Sequence, residues 1–133
     1  MMITDELKKK LLDIASKAKE NARVGRTGFH VGAAVLTRDG SIYSGCNVEL
    51  TNALYSICAE RVALVKAISD GAADEDILAV AVTSDSNDIT TPCCFCRQFM
   101  MDINPEMLII AADHTLSKVQ TFTVAELTPL LLC

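Results

Sequence analysis

Two short segments of the chain contain the residues best suited to chemistry, residues 58–61 (Cys-Ala-Glu-Arg) and 92–97 (Pro-Cys-Cys-Phe-Cys-Arg). Cys93 and Cys96 are three residues apart, so one helical turn places both sulfurs on one face, near enough to share a metal ion. Cys58 supplies a third thiolate if the two segments converge. Three ligands leave one position of a tetrahedral zinc ion open, which is typical of a catalytic rather than a structural site.

Two charged residues follow Cys58 directly. Glu60 is not needed as a ligand, and a carboxylate beside the open position of a zinc ion is suited to general acid–base catalysis. A zinc ion with three thiolates carries a net charge of about −1, so a nearby cation should offset it. We expect Arg61 to hydrogen-bond a ligand sulfur and thereby tune the metal.

The cysteine motif by itself leaves two other classes of protein open. A redox protein could use the thiols of Cys93, Cys94 and Cys96, and a zinc-stabilised binding module could hold a metal without catalysis. A closed structural site needs a fourth ligand, for which the sequence offers no motivated candidate. Such a site also has no use for the unliganded carboxylate of Glu60, so a hydrolytic enzyme is the leading hypothesis.

The composition of the chain limits its number of domains and the kinds of partner that it can bind. The 133 residues include 12 basic and 17 acidic side chains, a net charge of −5, and are 50% hydrophobic. The length predicts one domain over residues 1–133. The hydrophobic content excludes a disordered chain, which would contain far fewer hydrophobic residues. An acidic chain without a basic cluster is a poor candidate for binding nucleic acid or an anionic membrane.

The N-terminal residues lack the apolar run of a signal peptide, and no window is long enough for a membrane-spanning helix, so we expect a cytoplasmic protein. Structural disulfides are rare in that compartment. We therefore expect none of the six cysteines to form a disulfide. Cys46 and Cys133 should pack as small hydrophobic residues, and Cys94 has no assigned role.

Hydrophobic periodicity predicts the elements that must position these segments. An amphipathic helix is expected first, then a hairpin with its turn at Asp39-Gly40, and then alternating helices and strands. Helices are predicted over 4–22, 57–69 and 93–101, with a short one after the capping box of Thr123 and Glu126, and strands over 31–37, 41–46, 77–83, 107–111 and 119–122. This order predicts an α/β layered domain with a mixed sheet, in which the helix at 93–101 makes a right-handed parallel crossover.

At these motifs the sequence resembles the small three-cysteine type of zinc-dependent cytidine deaminase. The matching segments are 29–34 (Phe-His-Val-Gly-Ala-Ala), 45–49 (Gly-Cys-Asn-Val-Glu), 58–61, 96–98 and 126–129. The resemblance implies a cytidine-deaminase-like three-layer sandwich, a five-stranded mixed sheet with helices on both faces. It also implies a homotetramer with sites near the subunit interfaces.

The resemblance further implies one Zn²⁺ per chain, held by Cys58, Cys93 and Cys96. Glu60 would act as the proton shuttle, taking a proton from the zinc-activated water to N3 of the pyrimidine and then relaying one to the departing amine. The reaction is hydrolysis of a C–N bond of a cyclic amidine. It converts cytidine or deoxycytidine to uridine or deoxyuridine plus ammonia, a step of pyrimidine salvage.

The same resemblance assigns the substrate contacts. Asn47 and Glu49 would bind the 3′-hydroxyl of the sugar, and Phe29 would flank the base. Asn47 and Glu49 are also expected at the end of a strand, where ligands bind in open α/β sheets. A loop-capping role is the alternative for these two polar residues.

Three stretches depart from the family pattern near the predicted pocket. Residues 25–27 (Gly-Arg-Thr) replace Pro-Tyr-Ser, residues 50–53 (Leu-Thr-Asn-Ala) lack the usual tyrosine, and Leu132 stands where relatives have an aromatic residue. The space near the sugar 5′ position is therefore expected to be larger and more basic. The alternative substrate is a modified cytosine nucleoside such as an aminoacyl-nucleoside antibiotic of the blasticidin type, unless Arg23 and Arg26 are plain loop charges.

Overall fold

Strands and helices alternate along the computed structural model, which describes residues 2–128. The elements are α1 (Asp5–Ala18), β1 (Val31–Thr37), β2 (Ile42–Cys46), α2 (Ala59–Ser69), β3 (Ile77–Ser84), α3 (Cys94–Ile103), β4 (Leu108–Ala112), β5 (Val119–Thr123) and α4 (Val124–Leu127). Every predicted element is present, with ends displaced by a few residues. The largest difference is at α1, which ends at Ala18 and continues as a single 3₁₀ turn, Lys19–Asn21.

The strands form one mixed sheet in the order β2-β1-β3-β4-β5. Strand β1 is antiparallel to both β2 and β3, β3 is parallel to β4, and β4 is antiparallel to β5. The parallel pair is joined through α3, as the crossover rule predicts. The sheet therefore begins as a hairpin, as expected, but only one of its strand pairs is parallel.

Helices cover both faces of the sheet, which confirms the three-layer architecture. Successive side chains of a strand point to opposite faces, and β1 follows this rule. Ala33 and Val35 pack into the core beneath α2 and α3, whereas Ala34 and Leu36 pack into the core beneath α1. Because both faces of β1 are buried, its sequence is a continuous apolar run rather than an alternating one.

Helix α1 lies directly against the backbone of β1. A Cβ atom added at Gly32 would lie 1.9 Å from the carbonyl oxygen of Ala15, so only glycine permits this approach. Thr4 begins the helix by accepting a hydrogen bond from Leu7 N at 3.2 Å. No helix within residues 2–128 is both long and apolar enough to cross a membrane.

The C-terminal part of the described chain matches its predicted local structure. Thr123 accepts a hydrogen bond from the backbone N–H of Glu126 at 3.1 Å, and the Glu126 carboxylate accepts from the N–H of Thr123 at 2.7 Å. This reciprocal pair is the predicted capping box. The expectations for Leu132 and Cys133 fall outside the described residues.

Candidate active site

Several elements begin or end at one edge of the sheet. The first residues of β1 pair with the last of β2 and β3, Gly32 with Cys46 and Val31 with Ser84. Just beyond β2, Val48 and Ile57 exchange two backbone hydrogen bonds of 2.9 Å, which brings the chain back to the start of α2. Helix N-termini and strand ends thus meet in one place, which is where open α/β sheets bind ligands.

Three cysteine sulfurs converge at this edge. Cys58 and Cys93 are the N-cap residues of α2 and α3, and Cys96 lies in the first turn of α3. The three sulfurs all lie within 4.8 Å of one another, with Cys58 Sγ and Cys93 Sγ 3.7 Å apart. Tetrahedral zinc with bonds of about 2.3 Å requires sulfurs about 3.8 Å apart. The donor set therefore fits a zinc ion with its fourth position open.

The position of Cys93 at a helix N-terminus favours the thiolate form that a metal requires. A hydrogen bond from Cys58 lowers the pKa of the Cys93 thiol to about 2, and contacts from Cys96 and the N–H of Phe95 act in the same direction. The backbone N–H of Cys96 lies 3.5 Å from Cys93 Sγ. Metal binding to such a cluster releases the remaining thiol protons.

Glu60 is buried beside this cluster, with 3% of its surface exposed. The pKa of its carboxyl group is raised to about 7, mainly by burial and also by the negative charge of Cys93, while its own backbone N–H and Arg61 oppose the shift. A carboxyl group with a pKa near neutrality can both accept and donate a proton under physiological conditions. The arrangement is therefore suited to proton transfer next to the metal position.

Arg61 and Arg97, which both adjoin the cysteine segments in sequence, have different surroundings. Arg61 Nη2 lies 3.7 Å from Cys58 Sγ and donates to it, and its buried Nε has no hydrogen-bond partner among residues 2–128. Arg97 Nη1 donates to the carbonyl oxygen of Leu127 at 2.7 Å and so joins α3 to α4. Only Arg61 is placed to offset the charge of the cluster through a sulfur contact.

Helix α2 approaches the site because of a glycine to which the sequence analysis assigned no packing role. A Cβ atom at Gly45 in β2 would lie 2.6 Å from the backbone nitrogen of Ala63 and 2.7 Å from the carbonyl oxygen of Ala59. The first turns of α2 thus rest directly on β2. This close packing places Cys58 and Glu60 at the edge of the sheet.

Asn47 fixes the chain where it enters β1. Its Oδ1 accepts from the N–H of Val31 at 2.9 Å, and its Nδ2 donates to the carbonyl oxygen of Phe29 at 2.9 Å. The Phe29 residue itself is 41% exposed. The amide of Asn47 therefore holds the backbone of Phe29 in place and leaves the aromatic ring accessible to a ligand.

Glu49 is held by Thr27, a residue that sequence reasoning did not assign. The backbone N–H of Thr27 donates to Glu49 Oε1 at 3.0 Å, and its hydroxyl donates to Oε2 at 2.7 Å. These contacts lower the pKa of Glu49. The same hydroxyl accepts from Phe29 N at 3.1 Å. The two residues are 22 positions apart, so no local pattern could have revealed their contact.

Two of the remaining cysteines can be placed. Cys94 is disulfide-bonded, so the expectation that none of the six cysteines forms a disulfide is wrong. The sequence argument rested on the rarity of disulfides in the expected compartment and not on any property of Cys94 itself. Cys46 is a half-buried free thiol at the end of β2.

Comparison with known proteins agrees with this geometry. Residues 5–112 match the family model described as the cytidine and deoxycytidylate deaminase zinc-binding region. The chain belongs to this deaminase family. The three cysteines and Glu60 all lie within the matched residues, and zinc is the cofactor of the family. The protein is accordingly a hydrolase of the cytidine deaminase type.

Individual members of the deaminase family match over most of their length. A cytidine deaminase of Halalkalibacterium halodurans is 40% identical, covering 90% of this chain and 89% of that protein. A blasticidin-S deaminase of Bacillus cereus is 32% identical over 76% of this chain and 75% of its own. The crystal structure of a cytidine deaminase from Burkholderia pseudomallei, 32% identical, superposes with a TM-score of 0.87 over 91% of this chain and 95% of that one.

Proposed function

We propose that the protein catalyses the zinc-dependent hydrolytic deamination of a cytosine nucleoside. Cytidine or deoxycytidine plus water would give uridine or deoxyuridine plus ammonia. The observation that supports this most directly is Glu60, a buried carboxyl group with a pKa of about 7. It lies two residues after Cys58 and beside three sulfurs that suit a metal.

Cys58, Cys93 and Cys96 would hold the zinc ion, because their sulfurs all lie within 4.8 Å of one another. Zinc at such a site supplies Lewis acidity and lowers the pKa of a coordinated water from about 15.7 towards 7. The N-termini of α2 and α3 add partial positive charge at the same point. Arg61 contributes a formal positive charge through its contact with the Cys58 sulfur.

Glu60 would move the protons of the reaction. It takes one proton from the attacking water and delivers it to N3 of the cytosine ring, so that C4 becomes more electrophilic. The hydroxide that remains would add to C4, and Glu60 would then carry the proton of the new C4 hydroxyl to the amino group, so that the C4–N bond breaks, ammonia leaves and a C4 carbonyl forms. Burial raises the pKa of this carboxyl group, which makes it easier to protonate than an exposed glutamate and so suits it to carry a proton between two groups.

Phe29, Asn47 and Glu49 would bind the nucleoside. A carboxylate offers about four acceptor positions, and Thr27 uses one on each oxygen of Glu49, so acceptor positions are left for a sugar hydroxyl. Asn47 Oδ1 likewise retains one lone pair beyond its bond from Val31 N. The exposed ring of Phe29 supplies an apolar face for the base.

The test is ammonia release from a panel of cytosine and adenine nucleosides, bases and nucleotides, together with the zinc content of the purified protein. The proposal predicts about one zinc per chain and turnover of cytosine nucleosides but not of adenine nucleosides. A protein that binds no zinc and whose thiols oxidise reversibly would support the redox alternative instead. A zinc-loaded protein that releases no ammonia would support the binding module.

We further propose a homotetramer with sites near the subunit interfaces. Large apolar residues next to the site segments are exposed in the single chain. Leu54 is 88% exposed, Tyr55 is 57% exposed and Phe95 is 67% exposed. Exposed apolar groups clustered in this way are typical of interaction surfaces. Light scattering is the test, and a stable monomer would contradict the proposal.

A single domain over residues 1–133, a cytoplasmic location and a role in pyrimidine salvage likewise stay proposals.

A further inference from the structure

A cavity of about 390 Å³ lies beside Glu49, and the chemistry proposed above does not use it. Its walls are formed by Arg23, Gly25, Arg26, Glu49, Leu50 and Thr51. Ligand pockets in proteins begin at about 300 Å³, and one ordered water takes about 30 Å³. The cavity therefore has room for a group the size of a phosphate or a carboxylate together with water.

The cavity is locally cationic on an acidic chain. Two guanidinium groups, those of Arg23 and Arg26, accompany the single carboxylate of Glu49, whereas the chain as a whole has a net charge of −5. Such a chain repels anions at a distance. An anion would therefore bind only where cations are concentrated, and this cavity provides such a place.

The carboxylate of Glu49 does not accept a hydrogen bond from the guanidinium of Arg26. The Glu49 carboxylate is 90% buried and accepts two short hydrogen bonds from Thr27. The nearest guanidinium nitrogen of Arg26 is 3.9 Å from Glu49 Oε2, which is too long for a hydrogen bond. The Arg26 side chain is 45% exposed, and its guanidinium forms no hydrogen bond with residues 2–128. Its N–H groups are thus available to a ligand.

Arg23 forms the other cationic wall and is held in place by the protein itself. One of its terminal N–H groups donates to the backbone carbonyl of Glu49, and the backbone N–H of Glu49 in turn donates to the carbonyl of Arg23 at 2.7 Å. The other N–H groups of the Arg23 guanidinium form no hydrogen bond within residues 2–128 and can donate to a ligand. A guanidinium fork binds the oxygens of phosphate and carboxylate in a bidentate manner, which makes both arginines suited to the same kind of ligand.

We propose that this cavity is a subsite for an anionic group on the sugar of the substrate. The enzyme would then favour cytosine nucleosides that carry an anionic substituent over neutral ones. This inference rests on the proposed function, in which Glu49 contacts the 3′-hydroxyl and so brings the cavity next to the sugar, while Arg26 belongs to the segment expected near the sugar 5′ position. A 5′-phosphate and a sugar carboxylate share the required chemistry.

The test compares kcat/KM of the zinc-loaded enzyme for cytidine, 5′-O-methylcytidine, cytidine 5′-monophosphate and cytidine 5′-carboxylate. The methyl ether controls for size without charge, and the last two substrates distinguish a phosphate from a carboxylate. At least one anionic substrate should exceed the methyl ether by about tenfold, as expected for one charged hydrogen-bonded contact. Arg26→Gln should remove that preference, and Arg26→Lys should retain part of it.

The matched control is Arg38→Gln, which changes the net charge by the same amount. Arg38 follows the far end of β1 and pairs with Asp76 at 3.0 Å, away from the cavity. Its replacement should leave the ratio of anionic to neutral substrates unchanged. Turnover of cytidine without any anionic preference, or a preference that survives in Arg26→Gln, would overturn this inference alone. Absence of ammonia release from all four substrates would contradict the proposed function instead.

Discussion

The hydroxyl of Thr27 donates a hydrogen bond of 2.7 Å to the carboxylate of Glu49, and its oxygen also accepts the N–H of Phe29 at 3.1 Å. One side chain thus joins two of the residues that we propose bind the substrate. The backbone N–H of Thr27 adds a second bond to the same carboxylate at 3.0 Å. The orientation of Glu49 therefore depends on a residue that need not touch the substrate.

Replacing Thr27 should weaken substrate binding more than it slows the chemical step. We expect Thr27→Val to raise KM for cytidine by about three- to tenfold with a smaller change in kcat, because one charged hydrogen bond is lost. Thr27→Ser keeps the hydroxyl and should restore KM. With 3′-deoxycytidine, which lacks the sugar hydroxyl assigned to Glu49, the two variants should differ little. An equal loss on both nucleosides would argue against the positioning role.

The same variant should introduce a pH dependence into KM. The Thr27 hydrogen bonds lower the pKa of Glu49, so the carboxylate of the parent protein stays ionised as the pH falls towards its ordinary titration range. Without the hydroxyl that pKa rises, and protonation then removes acceptor positions at a higher pH. KM of Thr27→Val should therefore increase on acidification before KM of the parent protein does. Parallel KM profiles would contradict this.

Replacing the carboxyl of Glu60 should abolish turnover but not metal binding. We expect Glu60→Gln to lower kcat by about 10²–10⁴-fold, the usual contribution of a general acid–base, while zinc content stays at the parent value. Zinc is measured by elemental analysis of the same samples. Loss of zinc together with activity would mean that Glu60 supports the metal site rather than proton transfer.

Arg61 should affect how tightly the metal is held. We expect Arg61→Gln to weaken zinc binding by about 10- to 100-fold, because the Nη2 contact of 3.7 Å to Cys58 Sγ would be lost and the charge of the cluster left uncompensated. Competition with a chromogenic chelator measures this affinity. Arg38→Gln is the charge-matched control and should bind zinc as tightly as the parent protein. Equal zinc affinities in Arg61→Gln and Arg38→Gln would refute the expectation.

Gly45 should be intolerant of a side chain. A Cβ there would lie 2.6 Å from Ala63 N, so α2 must move away from β2, and overpacking of this kind costs about 1–3 kcal/mol of stability. Gly45→Ala should lower the thermal midpoint and reduce zinc retention, since the N-terminus of α2 carries Cys58. Gly25→Ala, where a Cβ meets nothing within 4 Å, is the control. Equal thermal midpoints in the two variants would contradict the role of Gly45.

Much of the fold was predictable because its signals are local. Residues 77–83 form a continuous apolar run, Asp39-Gly40 marks a hairpin turn, and the capping box at Thr123 starts a helix, and each of these expectations is confirmed. The end of α1 was less predictable. Apolar spacing continues to Ala22, yet the chain leaves the α-helix after Ala18 and forms a 3₁₀ turn.

The sequence by itself determined the family and the kind of cofactor. Cys58, Glu60, Cys93 and Cys96 stand within short motifs, and a motif confined to one helical turn carries its geometry with it. The order of the elements pointed to an α/β layered domain with a mixed sheet, and the family resemblance implied the three-layer sandwich. The comparisons confirm both conclusions.

Only the tertiary structure decided how the site is supported. The contact between Thr27 and Glu49 spans 22 positions and that between Gly45 and Ala63 spans 18. Such contacts depend on how strands and helices pack, and no periodicity in the sequence encodes them. The cavity beside Arg26 arises in the same way, because two loops far apart in sequence meet at one edge of the sheet.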